Sequence, residues 1–209
     1  MANRLDHFMY AGADLDSLVA TFQSLSGVKA AYGGAHPGLG TRNALASLGG
    51  EVYLELIAPD PAQNLAGTYG EPFPTLAKPR IFAYVVKAKD LDRIQESLRK
   101  AGIDSDLLNA SRILPNGETL RWGLILPRAN SFGEYLPKFI DWKDATHPAL
   151  TSAPGCTFDF FEIGHPDKER LGELFRVLDV AVPLVRADRP CFRAQIKTPK
   201  GPLILTGGD

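Results

Sequence analysis

The sequence predicts an α+β protein made of repeated strand–helix–strand–strand–strand (βαβββ) modules, which form a curved mixed sheet with helices on the outside. Apolar strand-like segments alternate with segments of helical periodicity. The junctions DLDSL at 14–18 and DLDRI at 90–94 nearly repeat one another, and stretches rich in proline and alanine at 59–79 and 143–155 separate the repeats. Because one helix covers only one face of a module, two paired modules leave a concave face suited to a small molecule.

The first module is predicted at residues 1–60. RLDHFMYAGA is typical of a strand, and Asp14 is the expected N-cap of a helix that ends at Gly27. Its remaining strands are expected around 28–32, 42–48 and 51–58.

The second module, at 79–145, repeats this order, with a strand at 80–88 and a helix that begins at Asp90. Its other strands are predicted at 107–113, 120–127 and 134–142. The two modules make a paired unit at 1–150. A third, shorter unit at 155–209 packs on this pair or forms a dimer interface, since three modules cannot pair off within one chain. We therefore expect a homodimer.

The composition argues against several classes of function. A chain of 209 residues with a formal net charge of −1 has no basic footprint for nucleic acid or an anionic membrane. No apolar run approaches the roughly 20 residues of a membrane-spanning helix, and the N-terminus does not resemble an export signal. Cys156 and Cys191 are far apart. We expect a cytoplasmic protein with free thiols and a small-molecule partner.

Two polar residues occupy strand positions among apolar neighbours. Alternation along LDHFM places His7 on one face with Leu5 and Met9, and alternation along VYLELIA places Glu55 on one face with Tyr53. A buried carboxylate is costly unless a cation, a positive side chain or several hydrogen-bond donors hold it. Glu55 is therefore held by a metal or an arginine, or its face is open to water. His7 is a metal ligand or a histidine hydrogen-bonded in the core.

The segment GGAHPGLGTRN predicts a tight loop, because glycine accepts positive φ and Pro37 fixes a bend. This loop can bring His36 and Asn43 over the rim of the concave surface. The alternative is a hairpin loop with an exposed histidine. A phosphate-binding loop is excluded, because the segment lacks the required lysine and leads into a strand.

Other side chains have weaker claims to a site. Trp122 and Trp142 line an aromatic pocket or pack in the core. Arg121 can hold a substrate carboxylate, although a surface position is the ordinary one for arginine. His147, in the second linker, is interpreted as a local loop residue.

The motifs DHFMYAGADLD, GGAHPGLGTRNAL and YLELIAPD resemble those of glyoxalase-like domain proteins in the vicinal oxygen chelate superfamily, over roughly residues 4–145. That superfamily includes glyoxalase I, extradiol dioxygenases and the fosfomycin and bleomycin resistance proteins. The resemblance implies a divalent metal in the cup between paired modules, with ligands from the first and fourth strands of each module. It implies His7 and Glu55 as ligands, with His36 as a third ligand or an acid–base group. Zn, Fe, Mn and Ni are the candidate metals.

The second module departs from this pattern. Aligning RLDHFMY with RIFAYVV places Ala83 at the position of His7, and the last strand offers Asp141 near the position of Glu55. A complete set of two ligands per module is therefore absent.

Two functions remain open on the sequence. One is a metal-dependent isomerase, lyase or dioxygenase that acts on a small oxygen-rich substrate, with His36 and Glu55 as catalytic groups. The other is a binding protein that sequesters a small molecule and has a degenerate metal site. The residues assigned to substrate contact are Asn43, Tyr53, Trp122, Trp142 and Arg121.

Overall fold

The computed structural model describes residues 2–113 and 119–208 and confirms the predicted α+β class. The first module contains β1 (Arg4–Ala11), α1 (Leu15–Ser26), β2 (Ala31–His36), β3 (Thr41–Ser47) and β4 (Tyr53–Pro59). The second contains β5 (Arg80–Lys87), α2 (Leu91–Lys100), β6 (Ser105–Ile113), β7 (Thr119–Pro127) and β8 (Lys138–Asp141). The third contains β9 (Thr157–His165), α3 (Lys168–Val177), β10 (Leu184–Arg186), β11 (Cys191–Thr198) and β12 (Gly201–Gly208).

The first two helices begin at the predicted caps. The Asp14 carboxylate accepts a hydrogen bond from the backbone N–H of Ser17 at 2.8 Å, and the Asp90 carboxylate accepts one from Arg93 at 2.9 Å. Each bond satisfies a backbone donor that the first turn of a helix leaves without a partner. Gly27 ends α1 with φ +81°, the left-handed conformation that glycine adopts without strain. The repeated DLD junction is thus a repeated helix start.

The two modules join edge to edge into one eight-stranded sheet of order β2-β3-β4-β1-β5-β8-β7-β6. β1 and β5 run antiparallel, and Phe8 pairs with Tyr84. The same number of residues separates Phe8 from Tyr84 as separates the helix caps Asp14 and Asp90. Phe8 therefore lies opposite its own equivalent, and an approximate two-fold axis passes between β1 and β5. Residues equivalent in the two modules face the same central hollow.

The third unit forms a separate four-stranded sheet of order β10-β9-β11-β12. Its Phe161 ring stacks on Phe8 at 5.4 Å and contacts Tyr84 at 5.3 Å, so this sheet covers the convex face beside the helices. At Gly207 a Cβ atom would collide with the backbone carbonyl of Ile81, because β12 lies directly against β5. The concave face is left to the paired modules. No described helix is long and apolar enough to cross a membrane.

Candidate active site

The concave face of the eight-stranded sheet encloses a cavity of about 80 Å³. This is well below the roughly 300–1,000 Å³ of pockets that hold drug-sized molecules, so the cavity suits a small ligand. Polar residues of the first module that line it include His7, His36, Thr41, Asn43 and Glu55. The second module contributes, among others, Trp122, Leu124, Lys138, Ile140 and Trp142.

A β-bulge in β1 brings an unpredicted carboxylate into this site. The pairing of β1 with β5 shifts between Leu5 and His7, which leaves Asp6 as the extra residue. Leu5 consequently packs in the convex core, while the Asp6 carboxylate contacts the ring of His7. The predicted placement of Leu5 on the same face as His7 is therefore wrong, because strict alternation does not hold across a bulge.

Asp6 is fully buried and accepts hydrogen bonds from three rings. The donors are His7 Nδ1 at 2.6 Å, Trp142 Nε1 at 2.9 Å and His147 Nε2 at 2.9 Å. Burial raises the pKa of this carboxyl group, but the bonds from His147 and His7 outweigh burial and lower the pKa from 3.8 to about 2. Asp6 is therefore an ionised acceptor at neutral pH.

This ionised carboxylate sets the tautomers of two histidines. The backbone N–H of Ala149 donates to His147 Nδ1 at 3.2 Å, so the proton of a neutral His147 is on Nε2, which faces Asp6. Asp6 holds the Nδ1 proton of His7 in the same way, and His7 Nε2 is directed at Glu55 Oε2, 3.6 Å away. The Tyr53 ring stacks on His7 at 4.4 Å and limits its rotation. In this geometry His7 Nε2 can act as a base or as a ligand.

On the far side of Glu55, Asn43 links it to His36. Asn43 Nδ2 donates to Glu55 Oε1 at 2.6 Å and lies 3.1 Å from His36 Nε2. The second amide hydrogen of Asn43 points at His36 Nε2, which accepts it. His36 Nδ1 then carries the ring proton and donates to Thr41 Oγ1 at 2.9 Å. His36 Nε2 and Glu55 Oε1 are 3.9 Å apart. The structure thus brings His7, Glu55, His36 and Asn43 together.

The placement of His36 differs in one respect from the prediction of a loop. His36 is the last residue of β2, which begins and ends later than predicted. A register shift in the pairing of β2 with β3, between Tyr32 and Gly34, accompanies the φ of +138° at Gly34 and redirects the end of the strand. His36 is therefore positioned by a sheet, which holds a side chain more rigidly than a loop does.

Strand pairing identifies the second-module equivalent of Glu55. β4 pairs with β1 so that Glu55 lies opposite Met9, and β8 pairs with β5 so that Lys138 lies opposite Val85. Met9 and Val85 are equivalent positions of the repeat. Lys138, rather than Asp141, therefore corresponds to Glu55.

The prediction for Asp141 fails because a short 3-10 helix at Gly133–Tyr135 replaces the start of the predicted strand and delays β8. Asp141 lies at the end of β8, where its carboxylate accepts a hydrogen bond from the backbone N–H of Lys143 at 2.9 Å. Ala83 lies opposite Met9 in β1, as the two-fold relation requires of the counterpart of His7. The second module thus presents a methyl group and an ammonium group at its two key positions.

Lys138 is 8% exposed and is held among polar and aromatic groups. Its ammonium group contacts the Glu134 carboxylate and lies 5.0 Å from the centre of the Tyr69 ring. The Tyr69 hydroxyl donates to Glu134 Oε2 at 3.4 Å. Burial, followed by the charges of Glu134 and Glu55, raises the pKa of Tyr69 well above its ordinary value of 10. The phenol therefore remains a neutral hydrogen-bond donor.

The glyoxalase-like domain family matches residues 5–178, which is most of the chain. The chain belongs to this family. No curated protein sequence matches it.

Two solved structures illustrate the fold of this glyoxalase-like domain protein. The crystal structure of a hypothetical protein from Staphylococcus aureus is 14% identical with a TM-score of 0.68, covering 100% of this chain and 86% of the other. A variant of Streptomyces coelicolor methylmalonyl-CoA epimerase in complex with 2-nitronate-propionyl-CoA is 18% identical with a TM-score of 0.51, covering 69% and 98%. At these identities the likeness establishes the fold alone.

The donor set of this glyoxalase-like domain protein does not fit a divalent metal held by the protein. Such sites generally use three or four protein ligands. His7 Nε2 and Glu55 Oε2 face each other, but the Asn43 amide occupies His36 Nε2, and the ammonium of Lys138 stands where another ligand is needed. Within residues 2–113 and 119–208 no group of three or more His, Cys, Asp or Glu residues is arranged to hold a metal ion.

Of the remaining candidate residues, the two tryptophans line the cavity and Arg121 lies outside it. Trp122 and Trp142 both line the cavity, with ring centres 5.5 Å apart. Arg121 is exposed and lies outside the cavity, because neighbouring residues of β7 point to opposite faces. Its assignment to substrate contact is corrected accordingly. His147 is 5% exposed and bonded to Asp6, so its interpretation as a local loop residue is also wrong.

Sequence reasoning missed Asp6, His147 and Lys138. Asp6 directly precedes His7 in the sequence, and a carboxylate next to a candidate base is a useful signal. Strict alternation along a strand assigns two such neighbours to opposite faces, which hides their contact. Lys138 is a charge at the start of the apolar stretch KFI, which a search for carboxylates passes over. His147 has no local signal, because its partner lies in the first strand of the chain.

Proposed function

We propose that this protein is an enzyme that moves a proton to or from a carbon atom of a small carbonyl compound, as an isomerase or a lyase. The Asp6–His7 pair is the observation that supports the proposal. A buried, ionised carboxylate holds His7 Nδ1–H, and His7 Nε2 faces the cavity beside Glu55. General bases in enzymes are oriented in this way, by a carboxylate on the far nitrogen of the imidazole.

In the proposed reaction, His7 Nε2 takes a proton from the carbon next to the carbonyl group. The electron pair of the broken C–H bond moves to the carbonyl oxygen and forms an enolate, while the negative charge of Asp6 stabilises the imidazolium. An isomerase returns the proton to the same or a neighbouring carbon. A lyase lets the enolate expel a leaving group from the adjacent carbon, with the electron pair going to that group. Glu55 is the second acid–base group, placed by Asn43.

The metal-dependent form of this proposal requires one ion to bind His7, Glu55 and His36 together. The Asn43 amide would first have to turn away from His36 Nε2. Dioxygenase chemistry needs a redox-active metal. The donor set favours this chemistry less than it favours proton transfer by the protein's own side chains.

Exchange of substrate hydrogens for deuterium tests the proposal, because it reports proton abstraction whatever product forms. The protein is incubated in D2O with small 2-oxo acids, 2-hydroxy acids and ketones, and loss of the signal of the hydrogen next to the carbonyl is followed by proton NMR. We expect exchange in at least one compound. The His7→Gln variant should lower its rate by about 100-fold or more, the usual contribution of a general base.

The matched control for this experiment is Arg121→Gln, which removes an exposed charge outside the cavity and should leave the exchange rate unchanged. Exchange that is equally fast in His7→Gln would remove His7 as the base. Exchange in none of the compounds would favour the second candidate function.

That second candidate is a binding protein that holds a small molecule without turnover. Ala83 and Lys138 at the key positions of the second module favour it, as do the two tryptophans in the cavity wall. Ligand-dependent change in tryptophan fluorescence without deuterium exchange is the result that identifies a binder.

A further inference from the structure

We infer that Lys138 makes the cavity selective for a small anionic substrate that carries a carboxylate beside its reacting carbonyl or hydroxyl group. The inference rests on the proposed function, because it names the substrate class of the same cavity. Lys138 faces the centre of the cup from β8 as Glu55 faces it from β4. In the strand order β4-β1-β5-β8, the positive group is therefore separated from Glu55 by β1 and β5, and from His7 by β5.

The contacts of Lys138 leave part of its ammonium group for a ligand. An ammonium group has three N–H donors. Within the described residues one donor reaches the Glu134 carboxylate, and the centre of the Tyr69 ring lies 5.0 Å from the ammonium nitrogen. Lys138 also lines the cavity and is 8% exposed. An unsatisfied buried donor is costly. A ligand oxygen atom in the cavity is therefore favoured as a hydrogen-bond acceptor for the Lys138 ammonium group.

Glu134 does not remove the attraction for an anion. Its side chain is 37% exposed, against 10% for that of Lys138, so water solvates much of the negative charge while the positive charge stays at the cavity wall. The neutral Tyr69 hydroxyl donates to the same carboxylate and holds it in place. Glu134 and Tyr69 together fix the ammonium position, which reduces the entropy that a ligand must remove on binding.

The size and polarity of the cavity restrict the rest of the ligand. The volume of about 80 Å³ suits a small acid. The second-module wall beside Lys138 is apolar, with Val85, Leu124 and Ile140. A short 2-oxo or 2-hydroxy acid meets both conditions. A carboxylate bound at Lys138 would fix the orientation of the adjacent carbon relative to the acid–base pair on the other wall.

Tryptophan fluorescence provides a direct test, because the chain has two tryptophans and both line the cavity. The probes are pyruvate and lactate, each compared with its uncharged amide, pyruvamide and lactamide. We expect the acids to bind more tightly than the amides. The Lys138→Met variant should weaken binding of the acids roughly 10- to 100-fold, as expected for loss of a hydrogen bond between charged groups, and should leave the amides nearly unchanged.

The control is Lys100→Met, which removes a solvent-exposed lysine from the end of α2. An equal response to acid and amide would overturn the inference, as would no response to either up to their solubility limits or acid affinity unchanged in Lys138→Met. Selective binding of the acids without deuterium exchange would retain the inference and contradict the enzyme proposal. Deuterium exchange that depends on His7 but is equally fast with acids and amides would support the enzyme proposal and contradict the inference.

Discussion

Among single residues, Asp6 is expected to make the stability of the fold depend on pH. Its pKa in the folded protein, about 2, is below the ordinary value of 3.8. A carboxyl group whose pKa is lower in the folded than in the unfolded protein stabilises the fold at pH values above its unfolded-state pKa. This stabilisation is lost as the pH falls through the folded-state pKa. We expect the free energy of unfolding to decrease by about 2 kcal/mol between pH 4 and pH 2 from this group alone.

Urea unfolding at a series of pH values measures this contribution. The Asp6→Asn variant should be less stable at pH 7, because an amide cannot accept the three ring N–H donors as well. Its stability should also fall less steeply below pH 4. Parallel curves for the two proteins would mean that Asp6 does not titrate as described.

The residues of the site differ in how far a sequence pattern can find them. Glu55 and His7 are found because an ionisable side chain at an apolar strand position violates the expected pattern. The bulge at Asp6 is invisible to that pattern, since it depends on the way β1 pairs with β5. The contact between His147 and Asp6 depends on a long return of the chain, which no local spacing encodes.

At the scale of secondary structure elements, the close approach of β12 to β5 makes a specific demand on Gly207. A Cβ atom there would collide with the backbone of Ile81, and backbone in a packed core cannot move aside at little cost. We expect Gly207→Ala to destabilise the protein by about 1–3 kcal/mol in denaturant unfolding, the usual cost of overpacking.

Gly172→Ala is the matched control for that substitution. Gly172 lies within α3, and a Cβ there would meet Leu184 at 3.8 Å, an ordinary van der Waals distance. Because alanine is favoured over glycine in a helix by about 0.5–1 kcal/mol, this variant should be more stable than the parent. If both variants were destabilised alike, the tight contact between β12 and β5 would not explain the effect.

Element boundaries show where sequence patterns stop being informative. The starts of α1 and α2 are predictable, because the Asp14 and Asp90 caps act on the next few residues. The start of β8 is not predictable in this way. The 3-10 helix at Gly133–Tyr135 takes up residues that have a strand-like composition, and this displacement hides Lys138 as the counterpart of Glu55.

For the whole molecule, the approximate two-fold axis between β1 and β5 predicts how a metal site can be created. The double variant Ala83→His with Lys138→Glu places a ligand at each second-module position that corresponds to His7 and Glu55. Titration calorimetry with Zn²⁺ or Mn²⁺ should show one ion bound per chain in this variant. Because Ala83 is fully buried, we also expect a loss of stability of about 1–3 kcal/mol.

Lys138→Met is the control in that titration, because it removes the ammonium without adding a ligand. Equal metal binding by the parent, the control and the double variant would show that the two-fold relation does not determine the donor set. Binding by the double variant alone supports the equivalence derived from the strand pairing.

The linker between β8 and β9 connects the third unit to Asp6 beside the cavity. His147 caps a short 3-10 helix in this linker and donates to Asp6, and Ala153 accepts a hydrogen bond from the backbone N–H of Ser47 at 2.9 Å. A chain shortened to end with β8 would keep His7 and lose the His147 donor to the Asp6 carboxylate. A natural or engineered shorter form of this protein therefore needs another hydrogen-bond donor to the Asp6 carboxylate in place of His147.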